Sequence, residues 1–255
     1  MKQAFSYMFK DNMIKQKALT YFGFIFIAQF LTQWADVYAP EVKGAIPPIQ
    51  YFILFILGFI AMFIPTGYGV SCLKALIEQK ENPVLPFVNI KNNFILGFKL
   101  TVSVTLLALT FMSIFALGVG ISFIPFAVMQ AVSAIFMILM LILSIPLFIA
   151  FVIYSPALYT IFAKKEWFTS YFRFIKSTKL IGEGVGTYFK GLGLIILVMI
   201  AFGIINGIFG MIFDIIFGKS VLFALLFTLI TSVFSTYTVY VYAYITSKAV
   251  KHECI

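Results

Sequence analysis

Between Leu100 and Ala163 the chain runs for 64 residues without a charged side chain, bounded by Lys99 at one end and by Lys164-Lys165 at the other. A helix crossing a hydrocarbon layer of ~30 Å needs ~20 mostly apolar residues, so this run holds either two crossings or three. The lysines at its ends decide between them. Basic residues are retained on the cytoplasmic side of a membrane, which puts both ends on that side and makes the number of crossings even. Two crossings are expected, turning near Gly118-Val119-Gly120 and Pro125, where glycine and proline break a helical pattern. The second is longer than a straight crossing needs, and a tilt, a kink at Pro146 or Pro156, or extension past the bilayer would absorb the surplus.

Hydrophobic residues make up 62% of the 255-residue chain and charged residues 11%, against ~25% charged in a soluble domain. That excludes a soluble enzyme, a disordered chain and a disulfide scaffold. Six stretches are long enough to cross a bilayer, about 18–37, 49–71, 97–119, 131–158, 190–213 and 221–246. The fold class expected is all-α, a polytopic integral membrane protein with six transmembrane helices in a single transmembrane domain over residues 1–255. The connections are too short to hold a second domain.

Alternate connections divide the basic residues unequally. Lys2, Lys10, Lys15 and Lys17, then Lys74, Lys80, Lys91 and Lys99, then Lys164, Lys165, Arg173, Lys176, Lys179 and Lys190, and finally Lys248 and Lys251 fall on one side, leaving Lys43 and Lys219 on the other. This 16 to 2 division predicts cytoplasmic N and C termini in a plasma-membrane protein. The basic start resembles a signal peptide, but the polar lead is long and the one small-residue site, Val37-Tyr38-Ala39, precedes Pro40, so a retained first span is expected. Cys72 and Cys254 form no C-x-x-C pair and are expected to be free thiols.

Three cytoplasmic stretches alternate as surface helices do. Phe5, Met8, Phe9 and Met13 line one face of residues 4–14; Leu73, Leu76 and Ile77 oppose Lys74 and Glu78, an i,i+4 pair; Phe168, Tyr171, Phe172 and Ile175 oppose Lys165, Thr169, Arg173 and Lys176. Such helices lie among anionic lipid headgroups or dock on the bundle, and Trp167 and Tyr171 suit the lipid–water boundary. The other reading is a cytoplasmic contact surface of Trp167, Tyr171, Arg173 and Lys176 for a protein partner, with Arg173 able to bind an anion bidentately.

A search for chemistry finds little. The sole histidine is His252, which excludes the histidine clusters of intramembrane metalloproteases, and no G-x-S-G serine context occurs. Asp36 and Asp214 stand at the outer ends of spans, where a charge costs far less than at the bilayer centre. Gly182-Glu183-Gly184-Val185-Gly186 lacks the Gly-Lys-Ser/Thr of a phosphate loop and is expected to be a turn. No metal, cofactor or nucleic-acid site is expected. The buried polar candidates are Gln29, Gln33, Gln130 and Asn206, the last mid-span between Gly203 and Gly207, a G-x-x-x-G spacing that permits close helix approach. Packing of the fifth span, a homodimer seam and a contact to a polar solute all remain open there. On the sixth span Thr228, Thr231, Ser232 and Ser235 share a face expected to meet those glycines, although hydroxyls also bond their own i−4 carbonyls.

The second connection reads Gly67-Tyr68-Gly69, Leu73, Glu78, Glu81-Asn82-Pro83-Val84-Leu85-Pro86, then Phe94, Gly97, Phe98 and Lys99. This progression resembles that of a bacterial and archaeal membrane family, domain of unknown function 4013. Phe5-Ser6-Tyr7 to Lys10-Asp11, and Phe172-Arg173-Phe174 to Gly186-Thr187-Tyr188, are similar to its other recurrent stretches. Where that family has an aspartate after its aromatic, this chain has Phe87-Val88-Asn89. The resemblance implies a multi-pass membrane protein and no assigned activity. Physically, Pro83 and Pro86 stop a helix and favour an extended connection, which Phe87 and Phe94 would tuck against the membrane as a fixed cap. The function expected is that of a non-enzymatic interaction or membrane-organising component, the alternative being a permease or transporter subunit for an apolar or zwitterionic solute.

Overall fold

The computed structural model describes residues 13–39, 46–78, 86–123 and 130–249. The described chain is helical, with α1 Ile14–Val37, α2 Ile49–Ala61, α3 Phe63–Glu78, α4 Ile90–Phe123, α5 Gln130–Lys165, a 3-10 turn Phe168–Phe172, α6 Phe174–Gly182, α7 Val185–Phe217 and α8 Val221–Ala249. Among the described residues there is no strand. Six segments are long and apolar enough to span a membrane: Ile14–Val37, Ile49–Glu78, Ile90–Thr110, Phe148–Lys165, Val185–Phe217 and Val221–Ala249. The protein is an all-α multi-pass membrane protein, and the uncharged run is a pair of crossings. α2 and α3 make one crossing, interrupted only at Met62.

Several helix limits differ from those expected. α4 continues through Gly118 and Gly120 to Phe123, so the chain does not turn at those glycines; the turn expected at Pro125 lies outside the described residues, as do segment 4–12, Pro83 and the tail. Within an apolar run, two glycines cost a helix about 1 kcal/mol each, which the unmet backbone groups of a broken helix in lipid exceed. Leu73, Leu76 and Ile77 belong to the last turns of the second crossing and are buried, not laid on a surface. The stretch from Lys165 to Lys176 is also not one helix. Glu166 has φ 55°, a left-handed value that ends α5, and Arg173 separates the 3-10 turn from α6.

The buried core gathers toward the end that carries Lys17, Lys74, Lys99 and Lys165. There Tyr21 stacks on Tyr68 at 4.8 Å between ring centres, and Tyr240 meets both edge-on. Tyr68 donates its one hydroxyl proton to the Pro86 carbonyl at 3.0 Å, so Tyr240 is the donor in their 3.3 Å contact. Toward the other end, side chains such as Ile56, Ile204, Ile208 and Ile215 are exposed, as suits a lipid-facing surface.

In lipid, helices associate through close packing rather than through expulsion of water, and small residues make that packing closest. α3 and α4 take it to backbone contact. A Cβ at Gly67 would stand 1.8 Å from the Asn93 carbonyl oxygen, and one at Gly97 would stand 1.8 Å from the Phe63 oxygen. Phe63 closes the same crossing from the side, edge-on to Phe94 and Phe98 at 5.4 and 5.5 Å.

Candidate functional site

The crossing of α3 and α4 positions a polar cavity of about 260 Å³ at the lysine-rich end. α3 contributes Ser71, Lys74, Ala75 and Glu78; the entry to α4 contributes Pro86, Phe87 and Asn89; α4 contributes Asn92 and Asn93; and Glu166 closes it from the end of α5. Local chemistry fixes each wall. Asn89 caps α4, its Oδ1 accepting from the Asn92 N–H at 3.0 Å. Tyr68 holds the Pro86 carbonyl, so this part of the proline-bearing connection is anchored to the core.

Lys74 pairs with Glu166 at 2.5 Å rather than with Glu78 one turn away. Lys99 donates to the Glu166 carbonyl at 3.3 Å. Two lysines from two helices thus grip the one described non-glycine residue with a positive φ, a conformation costing about 1–2 kcal/mol. Asn93 is only 1% exposed. Its Oδ1 accepts from Ser71 Oγ at 2.9 Å, and its Nδ2 has no partner among the described residues.

A second space, about 460 Å³ and mainly apolar, lies within the bundle. Tyr21, Thr66, Ser155, Tyr159, Thr238 and Tyr242 bring hydroxyl-bearing side chains to its walls, among Ile25, Leu100 and Met199.

The polar residues expected mid-membrane are placed differently from the sequence-based expectation. Thr231, Ser232 and Ser235 face α1, not the glycines of α7. Gln29 accepts from Thr231 and Ser232 at 3.2 and 2.9 Å and donates to Ser235 at 3.0 Å. A methyl group added at Gly203 or Gly207 would meet nothing within 4 Å, so their G-x-x-x-G face is open. Asn206 is half-buried, and its Oδ1 has no partner among the described residues.

In the connection after α5, Trp167 is 72% and Ile175 89% exposed, and Arg173 and Lys176 are exposed beside them. Tyr171, expected on that surface, is instead 2% exposed and packs edge-on against Phe162. Burial raises the pKa of its phenol, opposed by a hydrogen bond with Ser155. Its burial follows from the 3-10 turn, whose three-residue period sends Tyr171 inward while Ile175, beyond the break at Arg173, points out.

Sequence reasoning misses Ser71, Asn93 and Glu166. The cluster Asn89-Ile90-Lys91-Asn92-Asn93 directly after the prolines is the available signal, since asparagines concentrate at helix starts and polar clefts. No curated protein and no solved structure matches the chain. A family model does, over residues 51–211, a stretch that contains the glycine crossing, the polar cavity and the Trp167–Ile175 connection. The chain therefore belongs to the family described as protein of unknown function DUF4013.

Proposed function

We propose that this protein is a non-enzymatic component of the cell membrane, with both termini cytoplasmic, that gathers anionic lipid beneath its amphipathic connection from Trp167 to Lys179. One observation carries the reading: Trp167 and Ile175 stand 72% and 89% exposed on a connection that buried Ser170, Tyr171, Ser177 and Leu180 hold to the bundle. A tryptophan and an isoleucine presented this way at the bundle's lysine-rich end suit insertion into the headgroup layer. Lys165, Arg173 and Lys176 stand close enough to repel one another, and a layer of phosphates relieves that repulsion.

The test uses the full chain in lipid nanodiscs. With Trp34→Phe, Trp167 is the one remaining tryptophan. Its fluorescence is expected to be quenched by lipids labelled near the headgroup and less by lipids labelled deep in the chain. Arg173→Gln with Lys176→Gln and Lys179→Gln is expected to reduce co-purifying anionic lipid several-fold, since basic residues near the surface attract anionic headgroups. Quenching independent of label depth, with an unchanged lipid complement, defeats the proposal.

One observation favours the alternative of a permease for an apolar or zwitterionic solute: the 460 Å³ space among α1, α3, α4, α5, α7 and α8. Its walls differ from the Asn206–Thr231 path expected from the sequence. A lipophilic fluorophore bound in this space is expected to be displaced by Met199→Trp. Binding unaffected by that change removes the support for this alternative.

A further inference from the structure

We propose that the mainly apolar space within the bundle holds a quinone-type lipid, a flat uncharged ring that carries acceptor oxygens and trails an apolar chain. The proposal requires neither lipid gathering nor transport, only a seat that opens to the bilayer. At about 460 Å³ the space falls within the ~300–1,000 Å³ range of small-molecule pockets.

The walls exclude charge and leave one donor. Among the described residues no charged side chain lines the space, and an unpaired ion at membrane depth is costly. Most wall hydroxyls are already engaged. Thr66 donates to the Met62 carbonyl and Thr238 to the Phe234 carbonyl, each at 2.8 Å, and Ser155 is hydrogen-bonded with Tyr171. Tyr159 differs. Its hydroxyl has no hydrogen bond among the described residues and is open to the space, unlike the sealed oxygens of Asn206 and Thr228. It lies at the Gly69 wall, 3.1 Å from the point where a Cβ on that glycine would stand. A tyrosine hydroxyl inside a membrane bundle ordinarily has a partner. An O–H left free in such surroundings complements an uncharged acceptor oxygen.

The shape of the seat follows from its other walls. Tyr159 and Tyr242 meet edge-on at 5.7 Å between ring centres, and Met62 and Met199 add thioethers. Aromatic rings and thioether sulfurs both pack favourably on a flat ring. The two ends of the space differ. Tyr159 and Tyr242 lie within two turns of Lys165 and Lys248, at the lysine-rich end, where Tyr21, 1% exposed and stacked on Tyr68, forms the wall. Met199 lies near the middle of α7 and is 58% exposed although it lines the space, so the opening there faces lipid. The ring is thus seated at Tyr159, and the chain leaves beside Met199. A phospholipid would have to carry its charged headgroup through the apolar opening to reach the same hydroxyl, which the cost of that charge opposes.

The experiment uses native mass spectrometry of the full chain in mixed micelles, with 2-decyl-1,4-benzoquinone and decylbenzene as probes. The two share ring and chain and differ in the two oxygens. One quinone per chain is expected to be retained, about fivefold more tightly than decylbenzene. Tyr159→Phe removes only the hydroxyl and is expected to weaken quinone retention about fivefold, the loss of one neutral hydrogen bond, and to leave decylbenzene unchanged. Val239→Phe fills the space from a half-buried wall position beside Gly69 and is expected to abolish retention of both probes. Should that variant not fold, the comparison with Tyr159→Phe decides. Equal retention of the two probes, or quinone affinity unaffected by Tyr159→Phe, overturns the proposal and leaves a space filled by lipid tails; absence of retention overturns it as well. The triple variant of Arg173, Lys176 and Lys179 is expected to retain the quinone as the parent chain does, so failure of the lipid-gathering role is read separately.

Discussion

Gly67→Ala is expected to destabilise the protein by about 3 kcal/mol, at the upper end of the usual cost of overpacking. The added methyl would lie 1.8 Å from the Asn93 oxygen, 2.6 Å from its carbonyl carbon and 2.7 Å from the Gly97 nitrogen, where ordinary contact begins near 3.4 Å. All three atoms are backbone, so no rotamer change relieves the clash and the helices themselves must separate. Gly97→Ala meets the same obstacle from the other side, in Phe63 O and the Gly67 nitrogen. Separation also withdraws Ser71 from Asn93 and loosens the cavity. The measurement is an unfolding curve in mixed micelles, with Gly203→Ala and Gly207→Ala as controls expected to change it by less than about 0.5 kcal/mol, since both positions open on empty space. A loss at Gly203 as large as at Gly67 would mean that a second copy occupies the α7 face.

Gln29→Leu is expected to cost about 2 kcal/mol, the largest effect among the described side-chain hydrogen bonds. Single interhelical bonds in membranes average ~0.6 kcal/mol and reach ~1.7, because a freed polar group finds another partner. Gln29 makes three at once, which ties Thr231, Ser232 and Ser235 of α8 to the middle of α1. Leucine keeps the volume and removes all three. The freed hydroxyls recover part of the loss on their own helix, as Thr231 already does through the Thr228 carbonyl at 3.2 Å. Gln29→Glu provides the second measurement: its carboxyl group, kept neutral by the membrane, retains an acceptor for Thr231 and Ser232 and offers an O–H to Ser235 in place of the amide, so a smaller loss than in Gln29→Leu is expected. Equal stability of Gln29→Leu and the parent chain would show that the α1–α8 contact rests on packing alone.

The six crossings are legible in the sequence because length, apolarity and the position of lysines are properties of the chain read in one dimension. Their ends are less so. Charge pattern alone assigns Lys74, Lys91, Lys99, Lys190 and Lys248 to connections, yet each lies within a helix, its long stem allowing the charge to reach water while the backbone continues. Gly203-x-x-x-Gly207 stands out because the spacing falls within one helix, but such spacing records a capacity for close approach and names no partner. The glycines that do meet, Gly67 and Gly97, lie on different helices and share no short motif. Gln29 and Ser235 are 206 residues apart, and nothing local in either segment points to the other. The cavity is hidden for the same reason, since its ion pair joins Lys74 to a residue 92 positions away.

The concentration of buried aromatic and small residues at the lysine-rich end has a mechanical consequence. At 1.5 Å per residue, α4, α5 and α7 are each ~50 Å long, well beyond a hydrocarbon layer of ~30 Å. The molecule resembles a sheaf tied near one end, with Tyr21, Tyr68, Tyr240 and the Gly67–Gly97 crossing as the knot. Its untied ends can lean or splay without disturbing the bound part, so bilayers of different thickness are met by a change in helix tilt rather than by repacking of the core.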